Sequence, residues 1–266
     1  EEWYRRPNIA RIYDYWLDGT QHFPVDREVA DRMNVTHPNI RPGVMSNRLF
    51  LRRAVAFLAE QGIAQFVDLG TGLPTGGNVH TIALPIIPKA KVAYIDNDPL
   101  VVRLSQMLLK EEHVEKQAVT VLGDASDPEA IFADPVIANL FDFEQPIAIL
   151  CFGLLYFFPE AQDVTRIIQA IYNRMAPASY LAFSHLDFEA LSDDSAEEAR
   201  RIYEGSVTRI QPRTIAELTT LFKDFEMVDP GIVYISSWRP KPAIEDDPFK
   251  QHPEQSSVVG GIARKP

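Results

Sequence analysis

A chain of 266 residues, 46% hydrophobic and 24% charged, is long enough to bury one large core and has an ordinary globular composition. Its formal net charge of −11 repels a phosphate backbone, so nucleic acid is not expected as a partner. The single cysteine, Cys151, excludes an intrachain disulfide and fits a reducing, cytoplasmic setting, and the longest apolar run, Ile147 to Phe158, falls short of the ~20 residues that span a bilayer.

In chain order, residues 1–40 are rich in aromatics and charge, and Ile9, Ile12, Tyr13, Trp16 and Leu17 recur at helical spacing behind Asn8, a suitable N-cap. This stretch precedes the first strand, so residues 1–45 are expected to be a helical extension packed over the main domain. Ser46–Gln61 carries Phe50, Ala54, Phe57 and Leu58 on one helical face and leads through Gly62 into a strand at 64–69.

Strands and helices then alternate. Strands are predicted at 91–95, 118–122, 147–152 and 179–184, with intervening helices after Asp98-Pro99, after Asp127-Pro128 and over 159–175. Helical patterns at 194–204 and 212–223 precede a predicted closing hairpin, 225–228 with 232–235, turning at Asp229-Pro230-Gly231. Residues 241–266 hold prolines, two vicinal glycines and few apolar groups, and are expected to form an extended or partly disordered tail. The alternation points to a doubly wound α/β domain over 46–240, with a mostly parallel sheet of seven strands.

The chemistry-bearing stretch is Asp68-Leu-Gly-Thr-Gly-Leu-Pro-Thr75. A strand feeding a helix through a glycine turn leaves backbone N–H groups free for a ligand, and Gly70 and Gly72 permit close approach. Three acids stand at strand ends: Asp68, Asp96 and Asp124. In doubly wound sheets ligands bind there, and an acid after the second strand can accept both ribose hydroxyls while one further out meets an adenine amino group. The three acids read together as a site for an adenosine-containing ligand. NAD is the first rival, but its G-x-G-x-x-G fingerprint requires glycine where Thr75 stands. Asp-x-Gly-x-Gly, the extra acid and the closing hairpin fit S-adenosylmethionine (SAM) better.

The turn, with Gly77-Asn-Val-His80, Tyr94-Ile-Asp-Asn-Asp-Pro99, Ala10-Arg-Ile-Tyr-Asp-Tyr-Trp-Leu-Asp-Gly19, Asn47-Arg48, Phe50-Leu-Arg-Arg53 and Tyr180-Leu-Ala-Phe-Ser-His185, resembles a bacterial family of class I SAM-dependent methyltransferases once catalogued as a domain of unknown function. The likeness covers residues 7–240. It implies the Rossmann-like class I fold and SAM as cofactor, and names no acceptor. Pro85 inside the first helix after the turn departs from the pattern and should shorten that helix.

The expected cofactor set is Asp68, Gly70, Thr71, Gly72, Asp96, Asn97, Asp124 and Ala125. Cys151 and Gly153 join it because the resemblance sets the end of the fourth strand against the SAM amino-acid portion. As a side chain Cys151 reads as a small core residue rather than a nucleophile. Arg48 is a partner for the SAM carboxylate or, alternatively, an exposed helix arginine. Tyr13 and Tyr15 belong to a lid with aromatic faces near the sulfonium, unless that helix merely docks on the outer sheet. His185, then His22, is the expected general base if the acceptor must lose a proton, though a lone histidine is more often structural. No metal site is expected. The expected function is methyl transfer from SAM to a small molecule; a nucleotide-binding oxidoreductase and a SAM-binding sensor without catalysis are the alternatives.

Overall fold

The computed structural model describes residues 3–206, 208–241 and 245–266. Three helices come first: α1 (Ile9–Trp16), α2 (Pro24–Thr36) and α3 (Ile40–Glu60). Asn8 caps α1, its side chain accepting from the backbone N–H groups of Ala10 and Arg11. Helix α2 has no counterpart in the sequence reading, because its stripe of Val29, Ala30 and Met33 is narrow and the rest of it is polar. Helix α3 begins six residues before the predicted start at Ser46, carried through Pro42 in its first turn.

The alternating part follows as β1 (Gln65–Leu69), α4 (Val79–Ala83), β2 (Lys91–Asp96), α5 (Pro99–Glu111), β3 (Ala118–Leu122), α6 (Pro128–Ala133), α7 (Pro135–Leu140), β4 (Ala148–Phe152), α8 (Ala161–Arg174) and β5 (Tyr180–Leu186). Helix α4 stops at Ala83, two residues before Pro85, as the clash of a proline ring with the preceding turn requires. The chain closes with α9 (Asp193–Ser206), α10 (Ile215–Leu221), β6 (Glu226–Met227), β7 (Val233–Tyr234) and β8 (Val258–Arg264).

The sheet has eight strands in the order β3-β2-β1-β4-β5-β8-β6, with β7 also on β8. The first five are mutually parallel, and β1 is buried along its whole length. The α/β class and the mostly parallel sheet are as the alternation predicts; the strand number is eight rather than seven. One core fills the face under α6, α8 and α10, around Val67, Ile149 and Ile167. A second lies between the sheet and α3, around Phe50, Phe66 and Trp238.

Two expectations need correction at the C-terminal edge. Strands β6 and β7 do not form a hairpin with each other; both pair antiparallel with β8. Residues 258–264 are not an extended tail but a buried strand, antiparallel to β5 along seven residue pairs. The vicinal glycines that read as a breaker have a packing role. A Cβ on Gly260 would stand 2.5 Å from the Phe50 ring and 2.6 Å from the Phe183 carbonyl oxygen, so glycine marks close approach here.

The N-terminal helices build a third, smaller core. Ile12, Trp16, Val29 and Met33 pack with Tyr156 from the β4 exit and Tyr203 from α9. A buried ion pair, Arg11 Nε to Asp26 at 2.7 Å, joins the segments of α1 and α2. This layer lies over the carboxyl ends of β1, β2 and β4, where the cavities are. Among the described residues, no helix is long and apolar enough to cross a membrane.

Candidate active site

Strands β1, β2 and β3 deliver Asp68, Asp96 and Asp124 to one cavity of about 460 Å³. Gly70 and Gly72 form the turn between β1 and α4, both at φ +65, a conformation that glycine adopts without steric cost. A Cβ on Gly70 would meet the Leu154 side chain at 2.7 Å, whereas Gly72 has nothing within 4 Å on that side. Leu154 thus packs closely on Gly70, and the space beside Gly72 is open.

Two backbone N–H groups reach the Asp96 carboxylate: Gly72 at 2.9 Å on one oxygen and Asp98 at 3.0 Å on the other. Each oxygen keeps a further acceptor position. Burial raises the Asp96 carboxyl above its ordinary value, against the pull of those N–H donors. Asp68 is deeper, accepts from the Thr71 hydroxyl at 3.0 Å, and is pushed up to about 7, mainly by burial and further by Asp96, while Thr71 and Arg48 oppose the shift. Asp124 accepts from the Ser126 N–H at 2.8 Å. Asp98 caps α5, as expected.

The charge of the walls is lopsided. Asp14, Asp68, Asp96, Asp98 and Asp124 line this cavity, and Arg48 is the one cation among its described lining residues. Such a surface favours a ligand with positive charge and disfavours a pyrophosphate, which counts against a dinucleotide. SAM carries a sulfonium and an ammonium beside a single carboxylate, and the residues present fit it.

Helix α1 roofs the cavity through three polar contacts. The Asn8 side-chain amide donates to Asp98 at 2.9 Å, the Asn47 amide donates to the Tyr13 hydroxyl at 2.8 Å, and the Thr75 hydroxyl donates to Asp14. Asp14 is also held by the Gln21 N–H at 2.8 Å and by His22 Nδ1 at 3.0 Å. Asp14, Asn8, Leu154 and Tyr156 are cavity residues that the sequence reading missed. Asp14 stood inside the Ala10–Gly19 run, but a contact to Thr75 sixty-one positions away leaves no local signal.

Of the expected set, Asp68, Gly70, Thr71, Gly72, Asp96, Asn97, Asp124, Ala125, Gly153, Arg48 and Tyr13 line the cavity together. Four residues do not. Cys151 is fully buried in the core between sheet and helices, and burial pushes its thiol up. Tyr15 turns outward and donates to Asp31 at 3.1 Å. His22 stands behind Asp14, edge-on to Tyr15. His185 has no exposed surface: Nδ1 donates to the Leu186 carbonyl at 2.9 Å and Nε2 accepts from Arg213 at 3.2 Å. Burial pulls its imidazole down to about 4, so it is neutral near pH 7. Arg213 in turn donates to the carbonyls of Phe158 and Pro159, so His185 supports the loop that lines the cavity and has no path to an acceptor.

No curated protein matches the chain. A solved structure of a protein from Thermobifida fusca YX, assigned as a methyltransferase, is 36% identical over 98% of this chain and 96% of its own, with a TM-score of 0.89. A DUF574 family protein from Streptomyces avermitilis MA-4680 is 34% identical over 98% of both chains, at 0.91. A protein from Bordetella parapertussis, 16% identical over 99% of this chain and 81% of its own, shares the fold at 0.60. The family model described as S-adenosyl methyltransferase matches residues 4–266, and the chain belongs to that family of SAM-dependent methyltransferases.

Proposed function

We propose that this chain methylates a small molecule enclosed beneath α1, in the cytoplasm, with the walls of the 460 Å³ cavity holding SAM. The observation that carries the reading is the convergence of Asp68, Asp96 and Asp124 on one cavity where Arg48 is the one cation among the described lining residues. Asp96 accepts the ribose hydroxyls, through the acceptor positions that Gly72 and Asp98 leave open. Asp124 and Ala125 meet the adenine edge. Arg48 pairs with the carboxylate and Asp68 with the ammonium, a cation and an anion already close enough to influence each other. Tyr13 and Tyr156 stay protonated, since burial raises both phenols, and present hydroxyls and ring faces without charge.

When bound, SAM supplies an electrophilic methyl group that an acceptor lone pair displaces in line with the sulfur. The chain positions the two reactants and excludes water. The α1 roof serves that exclusion, and it argues for an acceptor small enough to lie beneath it. The net charge of −11 argues against nucleic acid, and the buried, lone Cys151 suits a reducing compartment.

Calorimetric titration with S-adenosylhomocysteine (SAH) tests the assignment. Asp96→Ala is expected to weaken SAH binding about a hundredfold or more, with the same helix content by circular dichroism. A folded variant that binds SAH normally refutes the placement of the ribose.

A further inference from the structure

A second cavity, of about 340 Å³, opens beside the first and shares with it the walls made by Tyr13, Asn47, Gly153 and Tyr156. These residues, with Ile9, line both cavities, so a molecule filling the second presents one end to the SAM methyl. The two cavities differ in chemistry. Five aspartates and an arginine line the first, whereas no Asp, Glu, Lys or Arg is among the described residues lining the second. Its walls are Trp16 and Val44 on one side and Leu186, Phe188 and Tyr203 on the other. An ion entering it would lose its hydration with no opposite charge in return, at a cost of several kcal/mol or more.

Among buried side-chain atoms without a hydrogen-bond partner are Trp16 Nε1, His37 Nε2 and Asn47 Oδ1, and all three residues line this cavity. Each unmet group costs roughly 1–3 kcal/mol, so three at one wall need a reason. All three atoms are shielded from water and belong to side chains that line the cavity. Trp16 is a donor only, Asn47 Oδ1 is an acceptor, and His37 is held neutral chiefly by burial. Pocket size, apolar walls and a few fixed polar groups are the ordinary make-up of a small-molecule site.

We propose that this cavity is the acceptor site and that it takes an uncharged, aromatic-rich small molecule bearing both a hydrogen-bond acceptor and an O–H or N–H donor. The donor end lies at the shared wall beside Asn47 and Tyr13, within reach of the methyl group. This deepens the methyltransferase reading and rests on the first cavity holding SAM.

The test uses the full chain with 1-naphthol, a neutral bicyclic phenol, and 1-naphthoate, its charged counterpart. SAH affinity is measured first; if SAH does not bind, the reading of the first cavity fails, separately from this proposal. On SAH-saturated protein, 1-naphthol or another neutral bicyclic phenol or aniline is expected to bind and 1-naphthoate is not. Ser195→Trp, which fills the second cavity from its half-buried rim without touching the first, should leave SAH affinity unchanged and weaken binding of the neutral probe about tenfold or more. Trp16→Phe, which keeps an aromatic ring and removes the donor, should weaken it several-fold. The proposal is overturned if no neutral bicyclic compound binds, if 1-naphthoate binds as tightly, or if Ser195→Trp, with normal SAH affinity, leaves probe binding unchanged.

Discussion

If Asp68 holds the ammonium of the cofactor, binding must depend on pH in a direction fixed by its burial. In the free chain its carboxyl titrates at about 7, so half of the molecules carry a neutral acid there near neutrality. An ammonium beside it favours the charged form. If the contact keeps the carboxyl ionised throughout in the complex, SAH affinity falls by at most roughly twenty-five-fold between about pH 7.5 and about pH 5.5, close to 1.9 kcal/mol. Calorimetry across that range measures it directly. Asp68→Asn keeps an acceptor for Thr71, cannot titrate, and should give a flat profile at the weaker, low-pH level. The same substitution reports on stability with the opposite benefit. An acid raised in the folded state stabilises the fold below about pH 4 and loses that contribution as pH climbs through about 7. The span from 3.8 to about 7 corresponds to at most about 4 kcal/mol, so ligand-free Asp68→Asn should melt higher than the wild type at about pH 8. A flat wild-type binding profile, or one whose slope survives in Asp68→Asn, refutes the role given to this residue.

Gly19→Ala would set a Cβ 1.9 Å from an Asp14 carboxylate oxygen and expel it from Thr75, Gln21 and His22; SAH affinity should drop about tenfold or more while the sheet's circular dichroism is kept. Gly260→Ala forces a methyl against Phe50 and the Phe183 carbonyl and should cost about 3 kcal/mol or more in urea melts, whereas Gly205→Ala, with open space around it on α9, should be neutral or stabilising by up to ~1 kcal/mol. His185 is lowered in the folded chain, so its contribution is present above about 6.5 and lost as pH falls towards about 4. Accordingly, His185→Gln should lower the melting temperature at pH 7 and make its decline on acidification shallower, and an unaltered acid limb would contradict the neutral, buried histidine.

What was legible in the sequence is what short-range physics writes there. The apolar run ending in Asp68, the Asp98-Pro99 start of α5 and the glycine turn are each local, and each sits where its neighbours dictate. Three acids at three strand ends needed only strand order to be brought together. The roof was half legible: aromatic spacing announced α1, but the Asn8–Asp98 and Asp14–Thr75 contacts cross 90 and 61 residues and have no periodicity to betray them. Tyr13 and Tyr15 illustrate the limit, since two positions along a helix separate a side chain inside the cavity from one outside it. Strand β8 was missed because glycine at a close approach and glycine in a flexible tail are written with the same letter, and only Phe50 in place above Gly260 tells them apart.

The position of β8 sets a timetable for the living chain. Of the eight strands it is the last to leave the ribosome, yet it belongs between β5 and β6. Until residues 258–264 emerge, β5 has an unpaired row of N–H and C=O groups along the edge of an otherwise assembled parallel sheet, the kind of edge that captures strands from other chains. A chain whose residues 258–264 have not yet docked therefore exposes along β5 an edge able to pair with other chains.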